Sequence, residues 1–189
     1  MIRNPEKFAQ MRCGVVMKRS PGATRWAKWS WKATAVLPGA ADAKWKPLLD
    51  AGDHREFHVS TPVLELHGAE TDAYVHGLQA QVPCVYVVLR STDDDAQPFE
   101  VVLATVSPYE AQDYADSGEE IVEKIAMPDA VRAFVEDFVD QHHIEQEFKK
   151  RRRDRKDVHL HEDGIGDARV AQLADVYRTP ASMRKERLQ

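Results

Sequence analysis

Residues 82–118 read VPCVYVVLRSTDDDAQPFEVVLATVSPYEAQDYADSG, and the fold is decided there. The run Cys84 to Leu89 is continuous in β-branched and aromatic residues, which suits a strand covered on both faces. Pro83 fits at its start, where no ladder donor is lost. Asp93, Asp94 and Asp95 are too polar to bury and mark an exposed loop. Phe99 to Val106 is the returning strand, so the pair predicts an antiparallel hairpin. Ser107-Pro108-Tyr109-Glu110 then starts a helix. The serine caps, the proline takes the first helical position, and Glu110 reaches back in a capping box. Gly118 supplies the left-handed residue after the helix end.

Working outward, two further strands are predicted on the N-terminal side, Cys13 to Lys18 and Trp29 to Leu37. In the second, alternation sets Trp29, Trp31, Ala33, Ala35 and Leu37 on one face. Ala40 to Gly52 reads as irregular or a short helix, with Trp45, Leu48 and Leu49 able to turn inward. Glu56 to Ser60 and Val63 to His67 are short strands, and Glu70 to Leu78 is a helix with an acidic first turn. After Gly118, Glu120 to Ala126 is a last strand. Residues 128–143 then carry Val131, Phe134, Val135, Phe138 and Val139 at the spacing of one helix face. Burying those five side chains contributes about 1.5–3 kcal/mol each before chain entropy is subtracted.

The expectation is an α+β domain over residues 12–147, preceded by a loose arm at 1–11. Its sheet is mainly antiparallel and strongly curved, or a partly open small barrel of about six or seven strands. The helix 128–143 packs across it. Residues 148–189 form a basic linker and a short C-terminal helix, in which Val170, Leu173, Ala174 and Tyr177 make a narrow apolar stripe. So short a helix needs a surface to lie on, its own body or a second copy.

Charge divides the chain. Residues 148–189 hold 12 Lys/Arg against 7 Asp/Glu, whereas residues 1–147 hold 14 against 24. Such a split suits a tail that makes contacts or stays solvated. No apolar run approaches a membrane span, and the first residues carry no apolar signal core, which points to the cytoplasm. Cys13 and Cys84 both lie in strand patterns and read as buried free thiols.

No motif spells out a reaction. There is no GxxxxGK[ST], GxGxxG or GxSxG, and the first strand leads into Lys18-Arg19-Ser20-Pro21-Gly22, with one turn glycine and no phosphate cradle. Three surfaces stand out instead. The helix after Ser107 offers Tyr109, Glu110, Asp113, Tyr114 and Asp116 as an acidic recognition face; paired carboxylates also suit acid–base work, but nothing in the pattern marks a raised pKa. Trp26, with Lys28 and Lys32 near Trp29 and Trp31, makes an aromatic and basic surface. Alternatively Trp29 and Trp31 belong to the core and Trp26 plugs a barrel end. Lys149, Arg151, Arg152 and Arg153 in the basic run suit an acidic protein surface or a solvated linker, and the acidic body argues against nucleic acid. His159-x-His161 lacks a second ligand pair, so neither a metal nor a cofactor is expected.

Several stretches occur together in a pattern that resembles a known family: Gly14-Val15-Val16, Trp29-x-Trp31, Val36-Leu37-Pro38-Gly39, Leu64-Glu65-Leu66-His67, Val85 to Arg90, Ser107 to Tyr114, and Asp116 to Glu120. The family is an uncharacterised bacterial one encoded beside formate dehydrogenase genes, and its members are sometimes labelled molybdopterin-guanine dinucleotide biosynthesis protein A. The resemblance covers about residues 12–150. With the missing catalytic signature, it implies a non-enzymatic accessory protein. That protein docks on a partner, such as a subunit of a molybdenum or tungsten formate dehydrogenase, during assembly or maturation. A nucleotide- or pterin-binding enzyme of molybdenum cofactor metabolism is the alternative, and nucleic-acid binding through the tail is the third.

Overall fold

A computed structural model describes residues 7–144 apart from 23, 25 and 27. The basic run, including Lys149 and Arg151 to Arg153, and the stretch expected to form a C-terminal helix lie outside the described residues.

Among the described residues, eight strands and three α-helices follow one another in the order β1 (Phe8–Pro21), β2 (Trp29–Pro38), β3 (Lys46–Ala51), β4 (His54–Ser60), β5 (Val63–His67), α1 (Thr71–Leu78), β6 (Cys84–Ser91), β7 (Phe99–Thr105), α2 (Pro108–Ser117), β8 (Ile121–Ala126) and α3 (Asp129–His142). A 3-10 turn at Gly68–Glu70 leads into α1. All strand pairs are antiparallel. They form two open sheets, one of five strands (β2-β1-β4-β3, with β5 on β1) and one of three (β7-β6-β8). This keeps the expected α+β class and corrects the expected single curved sheet or partly open barrel. β8 runs beside β2, and β7 beside β4 and β5, without ladder pairing. Periodicity identifies strands but does not say which edges join.

The first strand organises the larger sheet. Its second half pairs β2 on one edge and β4 on the other, while residues 8–12 pair β5. Residues 8–11, read as part of a loose arm, are therefore strand. Their alternating Phe8, Gln10 and Arg12 gave no apolar run to detect, and β5 supplies the ladder. β4 and β5 follow each other along the same edge of β1. Pro62 sits between them, and its carbonyl accepts from Cys13 N at 3.0 Å. Residues 13–17 of β1 are all buried.

Two expectations fail for identifiable reasons. In β2, Ala33 pairs Met17 and Ala35 pairs Val16, so Thr34 is an extra, unpaired residue. A bulge of this kind shifts the alternation by one. Ala33 and Val36 are buried, while Leu37, expected inside, is turned outward. Residues 46–51 are an edge strand rather than a short helix. Leu48 and Leu49 are about half exposed there, and Pro47 sits where no inner ladder needs its donor.

One core joins both sheets and the helices. Val15, Met17, Leu64, Leu66, Val85, Val87 and Leu89 from the strands meet Tyr74 of α1 and Val131, Val135 and Phe138 of α3. The apolar stripe of α3 is thus inward as expected, with Phe134 and Val139 partly buried at its margins.

Both cysteines are free, but only Cys13 is fully buried; Cys84 is partly exposed at the start of β6. Burial pushes the Cys13 thiol up to about 11 and also raises the Tyr74 phenol. Two results are expected. Ellman's reagent titrates one thiol, Cys84, in the native protein, and the second only in denaturant. The unfolded chain begins to lose the Cys13 proton near pH 9 while the folded chain keeps it. The unfolded state then binds fewer protons, so stability falls as pH rises from there to about 11. Denaturant midpoints measured across that range check the sign.

Candidate acidic groove and seam cleft

The hairpin β6–β7 delivers the chain to Ser107, the N-cap of α2, whose side chain accepts from Glu110 N at 3.3 Å. The reciprocal half of the capping box does not form. Ser107 N donates instead to Thr105 Oγ1 at 3.0 Å, which releases the Glu110 carboxylate from capping. Gly118 ends α2 in the left-handed region at φ 70°. Replacing Ser107 with alanine is expected to cost about 1 kcal/mol of stability, read from urea unfolding.

The first turn of α2 stands next to the first turn of α1. Gly77 permits part of this approach: a side chain there would meet the Val106 carbonyl at 3.3 Å and Pro108 Cδ at 3.6 Å. Between the two helices lies a groove of about 450 Å³, lined by Ala69, Glu70, Asp72, Ala73, Ser107, Tyr109, Glu110 and Asp113. Four carboxylates thus converge, Glu70 from the 3-10 turn, Asp72 from α1, and Glu110 and Asp113 from α2. Asp72 and Glu110 lie in first turns, where the positive end of a helix favours an acid. The Tyr109 ring is exposed and stacks on His76, with centroids 5.8 Å apart and planes at 27°. Tyr74 lies beneath, accepting from His67 N at 3.0 Å and donating to Glu70 Oε2 at 3.4 Å. His143, just past α3, brings Nδ1 to 3.6 Å from Asp72 Oδ1.

Tyr109, Glu110 and Asp113 therefore lie together in the groove. Tyr114 and Asp116 are on α2 but do not line it; Asp116 accepts from Gln112 Nε2 at 2.6 Å. Glu70 and Asp72 complete the groove. Their position in an acidic first turn was visible in the sequence, but their meeting with α2 depends on tertiary structure. Beyond the end of α2, the Arg90 guanidinium at 2.6 Å and the Ser117 hydroxyl hold the Glu120 carboxyl below its ordinary value. Among the described residues no three His, Cys, Asp or Glu side chains form a group that could hold a metal ion.

A second concavity, about 430 Å³, opens at the seam between the sheets. Trp45, Val59, Phe99 and Val101 supply its apolar walls, and Asp42, Lys44, Thr61, Asp94, Gln97 and Glu100 are among its polar ones. Trp45 has a left-handed backbone, φ 49°, which a bulky residue adopts only under constraint. Its N–H is tied to the Val59 carbonyl at 3.1 Å, and its ring meets Trp31 edge-on at 5.4 Å and Phe57 at 5.9 Å.

Trp26 does not plug a barrel end, whereas Trp31 packs against the core. Trp26 is 93% exposed, because the β1–β2 connection carries it away from the core. Trp29 and Trp31 are half-buried, and the Arg19 guanidinium lies 4.1 Å over the Trp29 ring. Charge is again divided, now within the domain. Residues 7–55 hold ten Lys/Arg against three Asp/Glu, and residues 56–144 hold three against eighteen.

No helix among the described residues is long and apolar enough to cross a membrane. No curated protein and no solved structure matches the chain. A family model does, described as Protein of unknown function (DUF3305), over residues 12–152.

Proposed function

The chain belongs to that family, and from that premise we propose that it is a non-enzymatic docking protein. It acts in assembly or maturation of a molybdenum- or tungsten-dependent formate dehydrogenase and resides in the cytoplasm. The observation that supports docking is the convergence of Glu70, Asp72, Glu110 and Asp113 in one groove beside the exposed Tyr109 ring. A partner presenting lysine or arginine gains both steering and specificity from such a surface. The formate dehydrogenase assignment draws on the sequence resemblance at Ser107 to Tyr114 and Val85 to Arg90.

The experiment is capture and complementation. Tagged full-length protein is expected to retain a formate dehydrogenase subunit from a strain expressing that enzyme. The double variant Glu110→Lys/Asp113→Lys, with an unchanged circular dichroism spectrum, is expected to lose at least about tenfold in affinity, because like charges then face each other. A deletion strain is expected to lose formate dehydrogenase activity and to recover it with the wild-type chain alone. Normal activity in the deletion strain sinks the assignment; equal capture by the charge-reversed variant sinks the groove.

A further inference from the structure

The seam cleft is separate from the acidic groove and is formed by different elements. Its loop is held in place. Thr61 Oγ1 donates to the Ala41 carbonyl at 3.0 Å, accepts from Ala43 N at 3.3 Å, and lies 2.9 Å from His58 Nε2. Thr61 thus joins the Ala41 carbonyl, the Ala43 amide and the His58 ring at one point. This hub fixes residues 41–43, and Trp45 follows in its constrained backbone.

Three carboxylates and one amine line the cleft. Asp42 is committed to Arg12, and Asp94 accepts from Ala96 N at 2.8 Å within its own turn. Glu100 is different. Its carboxylate is exposed and makes no side-chain hydrogen bond among the described residues, although its charge acts on Arg90. Its cross-strand neighbour Arg90 is taken by Glu120 at 2.6 Å. An aromatic wall at Trp45 and Phe99 beside a carboxylate that no side chain hydrogen-bonds is the chemistry that recognises a planar cation. A guanidinium is flat, weakly hydrated, stacks on aromatic faces and forks onto a carboxylate. The molecule already uses half of this pairing, with Arg19 on Trp29. The excess of carboxylates over Lys44 disfavours phosphates and other anions.

We propose that the seam cleft binds a planar organic cation, a guanidinium or amidinium group on a short stem, between Trp45 and Phe99 with Glu100 as its counter-ion. The group comes either from a free small molecule or from an arginine side chain of a protein.

The test is a two-dimensional ¹⁵N NMR titration of the full-length protein with agmatine, and separately with the capped tripeptide acetyl-Gly-Arg-Gly-amide. Saturable shifts are expected at the Trp45 indole N–H and the Phe99 and Glu100 amides. The exposed Trp26 indole, an internal control, stays fixed. Glu100→Gln, an exposed substitution that leaves the fold intact, is expected to weaken binding roughly tenfold, the loss of one charge-assisted contact. Agmatine alone saturating identifies a small-molecule site; the tripeptide saturating as well identifies an arginine side chain, and both support the proposal. No saturable shift with either probe overturns it, as does equal binding by Glu100→Gln or shifts shared with Trp26.

Discussion

Gly14→Ala is expected to destabilise the protein by about 3 kcal/mol, the upper part of the usual range for forcing a methyl group into a filled site. A Cβ at this position would lie 2.4 Å from His58 Nε2, 2.8 Å from His58 Cε1 and 2.9 Å from the Ala40 Cβ. Relief is not cheap on either side. The His58 ring is buried and held by Thr61, which itself holds Ala41 and Ala43. Ala40 has no side chain to swing away. β1 must therefore move apart from β4 or from the loop that carries Asp42 and Trp45. Urea unfolding measures the loss. A double variant, Gly14→Ala with His58→Ala, separates the causes. Removing the ring opens the space, so the two changes together are expected to cost at least about 1 kcal/mol less than their sum. Additive losses would place the clash elsewhere, and a stable Gly14→Ala protein would mean that the strand and ring do not approach this closely. Because the same hub fixes the cleft loop, Gly14→Ala should also broaden the Trp45 indole resonance.

What could be read from the sequence was local. The cap at Ser107, the proline at the first helical position, the left-handed Gly118 and the stripe on α3 each depend on a few neighbouring residues, and each appears in the fold. What could not be read depended on partners far along the chain. Thr34 looks like any outward residue of an alternating strand, and only its lack of a partner on β1 reveals the bulge. Lys46 to Ala51 has proline and two adjacent leucines, a poor strand pattern, yet β4 supplies a ladder for it. The groove shows the same limit. Tyr109, Glu110 and Asp113 could be picked from one helix, but Glu70 and Asp72 join them through the packing of α1 against the start of α2. Glu110 looked committed to its own cap until Thr105 took the Ser107 N–H.

Phe138→Ala is expected to be the most damaging single truncation, at about 3–5 kcal/mol. The residue is nearly fully buried on α3, and its ring meets Tyr74 of α1 edge-on at 6.2 Å and His142 at 4.7 Å. The cost exceeds that of Phe134→Ala, because Phe134 lies at the margin of the core and keeps part of its surface in water. The two helices are coupled through Tyr74, which also fixes the end of β5 through His67 N and touches Glu70 of the groove. A cavity beneath Tyr74 should therefore reach beyond α3. Hydrogen exchange is expected to quicken in both α3 and α1 of the Phe138→Ala protein, while β6, paired on both edges and buried at Val85, Val87, Val88 and Leu89, keeps most of its protection. If α3 alone loses protection, α1 owes little to this contact, and the acidic groove stands independently of the helix behind it. If neither helix responds and stability falls by less than about 1 kcal/mol, well short of the cavity range, the apolar stripe of α3 does not face the core.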